Sequence, residues 1–270
     1  MKELVSQAVE YINSKTDIKP KIGIILGSGL GAYGETLEEQ CIIKYQDIPN
    51  IKASTVPGHN GAFVLGKKSN KNVIVMQGRL HYYEGYSLDD IVFPLRVMKQ
   101  LGIEKLIITN AAGGVNLDFN PGDLMLIKDH INLTGINVLR GQEALEFGVR
   151  FPSMSEPYDK KMISLAAVAA KESNILLRKG IYFYTTGPSF ETASEIKAIR
   201  ALGGDAVGMS TVHEVTCAVQ MGIKVLGISC ISNMACGVLN KPLTHSEVLE
   251  TTARVKTAFI TLLDNIISKI

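Results

Sequence analysis

The chain has 270 residues, 46% of them hydrophobic and 20% charged, with a formal net charge of +2. That length can bury a substantial core, and the composition excludes a disordered chain. Near-neutral charge without a Lys/Arg block argues against a nucleic-acid groove, and no apolar run approaches the ~20 residues of a membrane span.

Cys41, Cys217, Cys230 and Cys236 form no CxxC and no metal-ligand spacing. They read as reduced cysteines of a cytoplasmic protein without a resident metal.

Taken in order, residues 3–13 have helical spacing, with Leu4, Val5, Ala8, Val9 and Ile12 on one stripe. Acidic residues within that stretch argue against a signal peptide. Residues 21–26 read as a short buried strand ending at Gly27-Ser28-Gly29-Leu30-Gly31. Further strands are expected at 62–65, 72–76, 105–109, 124–127, 180–184 and 224–231. Helices are expected at 87–101, 159–173, 192–201, 211–221 and 244–268. Strands that are nearly all apolar and alternate with helices indicate an α/β sheet covered on both faces. No linker, composition shift or repeat divides the chain, so one domain over residues 1–270 is expected. Residues 110–158 show little helical pattern, and so long an irregular excursion points to function or to an interface.

Two stretches carry more chemistry than a connection needs. Gln77-Gly78-Arg79-Leu80-His81-Tyr82-Tyr83-Glu84-Gly85-Tyr86 joins a strand to a helix. An Arg two residues from a His suits the holding of an oxyanion, although a solvated surface loop has the same composition. Gly27-x-Gly29-x-x-Ala32 matches a dinucleotide fingerprint, with Asp47 near the distance of a ribose acid. The following segment lacks the helix such a unit requires. A second reading is an anion cradle made of the Ser28 hydroxyl and loop amides, and a third is a tight turn.

Helix starts follow a pattern. Thr192/Glu195, Thr211/Glu214 and Thr244/Glu247 each fit a capping box, and Ser87/Asp90 is a looser version. Close before them stand Phe190-Glu191, Met209-Ser210 and Tyr83-Glu84, with Asn233 a longer loop away. In open α/β sheets ligands bind where helix N-termini meet the carboxyl ends of strands.

Six motifs in order then make the chain resemble the trimeric purine nucleoside phosphorylases. They are Gly27-Ser28-Gly29-Leu30, Val56-Pro57-Gly58-His59, Gly78-Arg79-Leu80-His81-Tyr82-Tyr83-Glu84-Gly85-Tyr86, Thr109-Asn110-Ala111-Ala112-Gly113-Gly114, Gly187-Pro188-Ser189-Phe190-Glu191-Thr192 and Ala206-Val207-Gly208-Met209-Ser210-Thr211. The resemblance runs from about residue 20 to the last helix. It implies a single domain with a central mixed, largely parallel sheet flanked by helices. It also implies phosphorolysis of a purine nucleoside to free base and ribose 1-phosphate, with phosphate as co-substrate, no cofactor and a homotrimeric assembly.

The family pattern places phosphate on Ser28, His59, Arg79, His81, the Ala111 backbone and Ser210. It places the sugar on Tyr83, Met209 and His245, with Phe147 reaching in from a neighbouring subunit. The purine falls on Ala112, Gly113, Phe190, Glu191, Val207, Gly208 and Asn233. His81, oriented by Glu84, and Asn233 are the expected catalytic residues. Glu191 can accept from N1–H of a 6-oxopurine, and Asn233 can donate to N7 as negative charge builds there. His245 suits a 5′-hydroxyl, whereas methylthioadenosine phosphorylases of the same fold place an apolar residue there. Two residues depart from the family pattern: His213 stands where relatives often have Pro, and Met234 where animal members have Lys. A methylthioadenosine phosphorylase and a non-catalytic nucleoside-binding protein are the alternative functions.

Overall fold

Each apolar run in the sequence becomes a strand whose residues alternate between two buried faces. The computed structural model describes residues 1–54, 61–239 and 244–270, apart from the side chain of His245. In chain order the elements are α1 (Lys2–Asn13), β1 (Ile22–Ile25), β2 (Glu38–Lys44), β3 (Ala62–Lys68), β4 (Lys71–Gln77), α2 (Leu88–Gln100), β5 (Lys105–Gly114) and β6 (Leu124–Asn132). Then follow α3 (Lys160–Glu172), β7 (Leu177–Tyr184), α4 (Ala193–Ala201), β8 (Ala206–Gly208), α5 (Val212–Gln220), β9 (Lys224–Met234) and α6 (His245–Lys269).

Among the described residues the strands form one nine-stranded sheet in the order β2-β3-β4-β1-β5-β8-β7-β6-β9, and β5 pairs with β9 as well. β4, β1, β5 and β9 run parallel. β2 and β3 extend this set antiparallel, and β6 is antiparallel to β9, so the sheet is mixed. Pairings through β8, β7 and β6 return to β9, which closes that half of the sheet on itself.

The alternation decides which helices cover which face. Ile24 of β1, Val75 of β4 and Ile107 of β5 join the core under α3 and α6. Ile25, Met76 and Ile108, one residue on, join the core under α1, α2 and α5. Burial on both faces is what an all-apolar parallel strand requires. No helix among the described residues is long and apolar enough to cross a membrane.

Several expectations change. Leu4 belongs to the expected helical stripe but is 39% exposed, while Val5, Ala8, Val9 and Ile12 are buried. β2 and β8 were not expected from the sequence. β2 is an edge strand with mostly exposed residues, and β8 has only three residues. The irregular region is also shorter than 110–158. Asn110-Ala111-Ala112-Gly113-Gly114 continues β5, held between β9 and β8, and β6 extends to Asn132. Polar and small residues hide a strand when its partners, and not its own pattern, define it. The loop after β1 runs into a 3-10 turn, Gly31–Thr36, and then into antiparallel β2. That rules out the βαβ unit of the dinucleotide reading, and Asp47 lies exposed in another 3-10 turn.

Ser87 and Thr192 form complete capping boxes with Asp90 and Glu195. Thr244 accepts from the Glu247 amide. Thr211 stands at the N-cap of α5 but its side chain makes no cap, because it turns to the site described next.

Candidate active site

A cavity of about 340 Å³ lies at the carboxyl ends of β1, β4, β5 and β9. These parallel strands deliver their polar residues where the ladder ends, and nearby helices deliver theirs from their first turns.

The loop after β1 supplies Gly27 and Ser28 to the wall. The Gly27 amide donates to Thr109 Oγ1 at 3.0 Å, and a Cβ at Gly27 would lie 2.6 Å from Asn110 Cα. Glycine is needed here for close approach to β5. Gly29, at φ +75°, is needed for backbone conformation.

β4 hands the chain to Arg79 and His81. Arg79 is 1% exposed; its guanidinium donates to the Thr109 carbonyl and, at 3.1 Å, to Thr211 Oγ1. Glu214 Oε1 stands 3.4 Å from the same Arg79 nitrogen, and Glu214 is itself 2% exposed. The Thr211 hydroxyl also meets Asn110 Nδ2 at 2.9 Å and Ser210 Oγ at 3.1 Å. His81 Nδ1 donates to Glu84 Oε1 at 3.0 Å, and the His81 amide donates to the same oxygen at 2.8 Å. One carboxylate oxygen therefore fixes both ring and backbone, and it assigns the proton to Nδ1. The Tyr83 ring stacks on His81 with centroids 4.7 Å apart. Burial, reinforced by the negative charge of Glu84, pushes the Tyr83 hydroxyl up to about 12, so it stays protonated at neutral pH.

A second wall comes from β5, β8 and β9. Opposite β5 the register of β9 shifts, so that Ala112 faces Ile231 while Gly113 faces Asn233. The extra residue, Ser232, makes a bulge of the kind that re-aims side chains near active sites. Ser232 Oγ donates to Asn233 Oδ1 at 2.8 Å, and Asn233 Nδ2 donates to the Met234 carbonyl at 3.2 Å. A primary amide has two N–H bonds, so one remains for a ligand. Thr185 Oγ1 donates to Glu191 Oε1 at 2.7 Å, which holds the carboxylate at the cavity edge.

Of the expected phosphate residues, Ser28, Arg79, His81, Ala111 and Ser210 line this one cavity. Tyr83 and Met209 line it too, as do Ala112, Gly113, Phe190 and Glu191, and then Val207, Gly208 and Asn233. Glu84 stands behind His81. His59 lies outside the described residues. His245 opens α6, and its side chain is likewise not described. Phe147 is not in the cavity of its own chain; its half-buried ring lies 4.5 Å from the Arg96 guanidinium.

Sequence reasoning missed Thr185, Thr211, Glu214 and Ser232 as supports of the site. Thr211 and Glu214 were visible, but as a capping box. His213, the first departure from the family pattern, is buried with Nε2 3.0 Å from Tyr184 Oη. Burial lowers its pKa, so it serves as a neutral partner of that hydroxyl. At the second departure, Met234, the backbone carbonyl engages Asn233 and the side chain is buried.

Comparison with known proteins places this geometry in a class. The family model described as the phosphorylase superfamily matches residues 21–268. The chain is 52% identical to purine nucleoside phosphorylase 1 of Bacillus subtilis (strain 168), covering 100% of this chain and 99% of that one. Isoform 2 of purine nucleoside phosphorylase from Schistosoma mansoni, solved with cytosine and ribose-1-phosphate, superposes with a TM-score of 0.95 at 42% identity, covering 99% and 96% of the two chains. The Schistosoma mansoni purine nucleoside phosphorylase has been solved with inosine (TM-score 0.94, 38% identity, 99% and 96% covered) and with adenosine (TM-score 0.95, 39% identity, 99% and 97% covered). The chain thus belongs to the phosphorylase superfamily, among its purine nucleoside phosphorylases.

Proposed function

We propose that the protein catalyses phosphorolysis of purine nucleosides, and that 6-oxopurine nucleosides, inosine and guanosine, are its preferred substrates. The observation that carries this reading is one shared cavity. Anion-type donors (Ser28, Arg79, His81, Ser210) and a base-type pair (Glu191, Asn233) share it, together with Tyr83 and Met209. The relatives named above, with inosine or ribose-1-phosphate bound, support it.

Phosphate attacks C1′ while the bond from C1′ to the purine breaks. The sugar passes through an oxocarbenium-like state, and the departing base takes the electron pair. Arg79, Ser28, Ser210 and His81 hold the anion in position for attack. Tyr83 and Met209 cover the sugar, and His245 receives its 5′-hydroxyl. As charge builds on the purine, the remaining Asn233 N–H donates to N7. Glu191 accepts from N1–H, a proton that inosine and guanosine carry and adenosine lacks. Phosphate is a co-substrate, and the reading uses no cofactor or metal. Phe147 is assigned to the sugar site of a neighbouring copy in a homotrimer, and the setting is cytoplasmic.

The test is hypoxanthine release from inosine with and without phosphate. Release that requires phosphate is expected. Equal release in both would refute phosphorolysis, and binding of inosine without turnover would favour a nucleoside-binding protein. Methylthioadenosine turned over faster than inosine would favour the third alternative.

A further inference from the structure

Thr211 occupies a conformation that a β-branched residue rarely adopts. Its backbone lies at φ +77° and ψ −49°, it is fully buried, and its side chain caps nothing. Strain of this kind persists only where surrounding contacts hold it, and it clusters at functional sites.

The Thr211 carbonyl accepts from the Val215 amide at 2.9 Å, and its side-chain contacts are three, all through Oγ1. Arg79 approaches at 3.1 Å and Asn110 Nδ2 at 2.9 Å, and both are donors. A hydroxyl oxygen has two acceptor positions and one proton. Both acceptor positions are taken, so the proton of Thr211 goes to the third neighbour, Ser210 Oγ at 3.1 Å. Ser210 lines the cavity, and its amide is engaged separately with Tyr182 Oη at 3.3 Å. With one lone pair of Ser210 receiving Thr211, its own O–H is left to donate elsewhere; the Tyr182 hydroxyl is one partner within its reach, and an anion in the cavity that Ser210 lines is the stronger acceptor.

We propose that Thr211 is a positioning residue for anion capture: it sets the Ser210 hydroxyl as a donor into the cavity and pins the Arg79 guanidinium beside it. A phosphate dianion keeps a single proton, so three of its four oxygens offer only acceptors. A freely rotating serine would present it with a lone pair part of the time, whereas this serine is oriented before the ligand arrives. Direction is set at Arg79, which can only donate, and passes through Thr211 to Ser210. The inference rests on the reading of Ser210 and Arg79 as phosphate ligands.

Steady-state kinetics on the full chain, varying phosphate and inosine separately, test it. Thr211→Val keeps the shape and removes the hydroxyl; the KM for phosphate should rise about tenfold or more, the scale of one oriented hydrogen bond. The KM for inosine should change less than about twofold, since no base or sugar contact is lost. Thr211→Ser restores the hydroxyl and should return the phosphate KM to within about threefold of the parent. Thr211→Gly separates the two roles, because it relieves the positive φ while still lacking the hydroxyl. It should raise the phosphate KM as Val does, and it serves in place of Val if that variant does not fold. A parental phosphate KM in Thr211→Gly would overturn the proposal, as would equal rises in both KM values. Ser210→Ala tells this failure from that of the underlying assignment. If Ser210→Ala itself leaves the phosphate KM unchanged, the phosphate site has been misplaced. If Ser210→Ala raises it and Thr211→Gly does not, only the positioning role falls.

Discussion

Replacing Glu191 by Gln probes the base assignment most directly. In the parent, Thr185 gives its proton to Glu191 Oε1 at 2.7 Å, which leaves Oε2 for the ligand. The same hydroxyl holds the carbonyl end of a glutamine, so the amide nitrogen takes the place of Oε2. Inosine then meets a donor with its own N1–H, while adenosine offers its N1 lone pair to that donor. A mispaired polar group costs about 1–3 kcal/mol, and more when the group is charged. Inosine loses an interaction of this size and adenosine is relieved of one, so the ratio of their kcat/KM values should fall by at least about thirtyfold. The assay is initial rate of base release at saturating phosphate, with each nucleoside well below its KM. A ratio that stays within about threefold of the parent would show that Glu191 does not face the six-membered ring.

Three further outcomes are expected. Asn233→Ala should lower kcat at least about tenfold, the value of one oriented donor to developing charge, and an unchanged single-turnover rate would remove its role. Phe147→Ala should raise the KM for inosine but not for phosphate, and mixing it with Asn233→Ala should restore part of the parental kcat/KM in hybrid assemblies; a mixture no more active than the average of its two impaired partners would place Phe147 outside any neighbour's site. Stability should fall with acid through His130, whose pKa burial lowers to about 4. A folded-state pKa below the unfolded 6.5 contributes stability above pH 6.5 that is lost as pH falls toward 4. Between pH 7 and pH 5 that loss is about 2 kcal/mol. Thermal unfolding of His130→Gln should show a shallower pH dependence over that interval, and an identical slope would refute the assignment.

What the sequence disclosed and what it hid have the same origin. Buried strands such as Asn72-Val73-Ile74-Val75-Met76 are legible because both faces need apolar side chains. Asn110-Ala111-Ala112-Gly113-Gly114 is not, because its strand character comes from β9 and β8 on either side. Residues assigned to a ligand stand out as polar groups, Arg79 and Asn233 at strand ends and Glu191 just before a helix start. Residues that serve them do not. Ser232 differs from any other serine only through a register shift, and Thr185 only through a carboxylate six residues away. Thr211 and Glu214 misled outright, since Thr-x-x-Glu at a helix start has a sound local explanation that tertiary contacts override.

The buried pairing of Arg79 with Glu214 also bears on how this site can change over generations. Removing either partner alone strands the other charge in a dry interior, at a cost of about 3–5 kcal/mol, a large part of the stability of an ordinary domain. Arg79 is constrained by the anion role proposed for it. Glu214 is held in place by Arg79, and it does not line the cavity. The two positions are therefore mutually locked: neither can drift singly, and a viable route away from one must carry the other with it. On the proposed role of Arg79, Glu214 inherits the constraint of a ligand-binding residue at second hand.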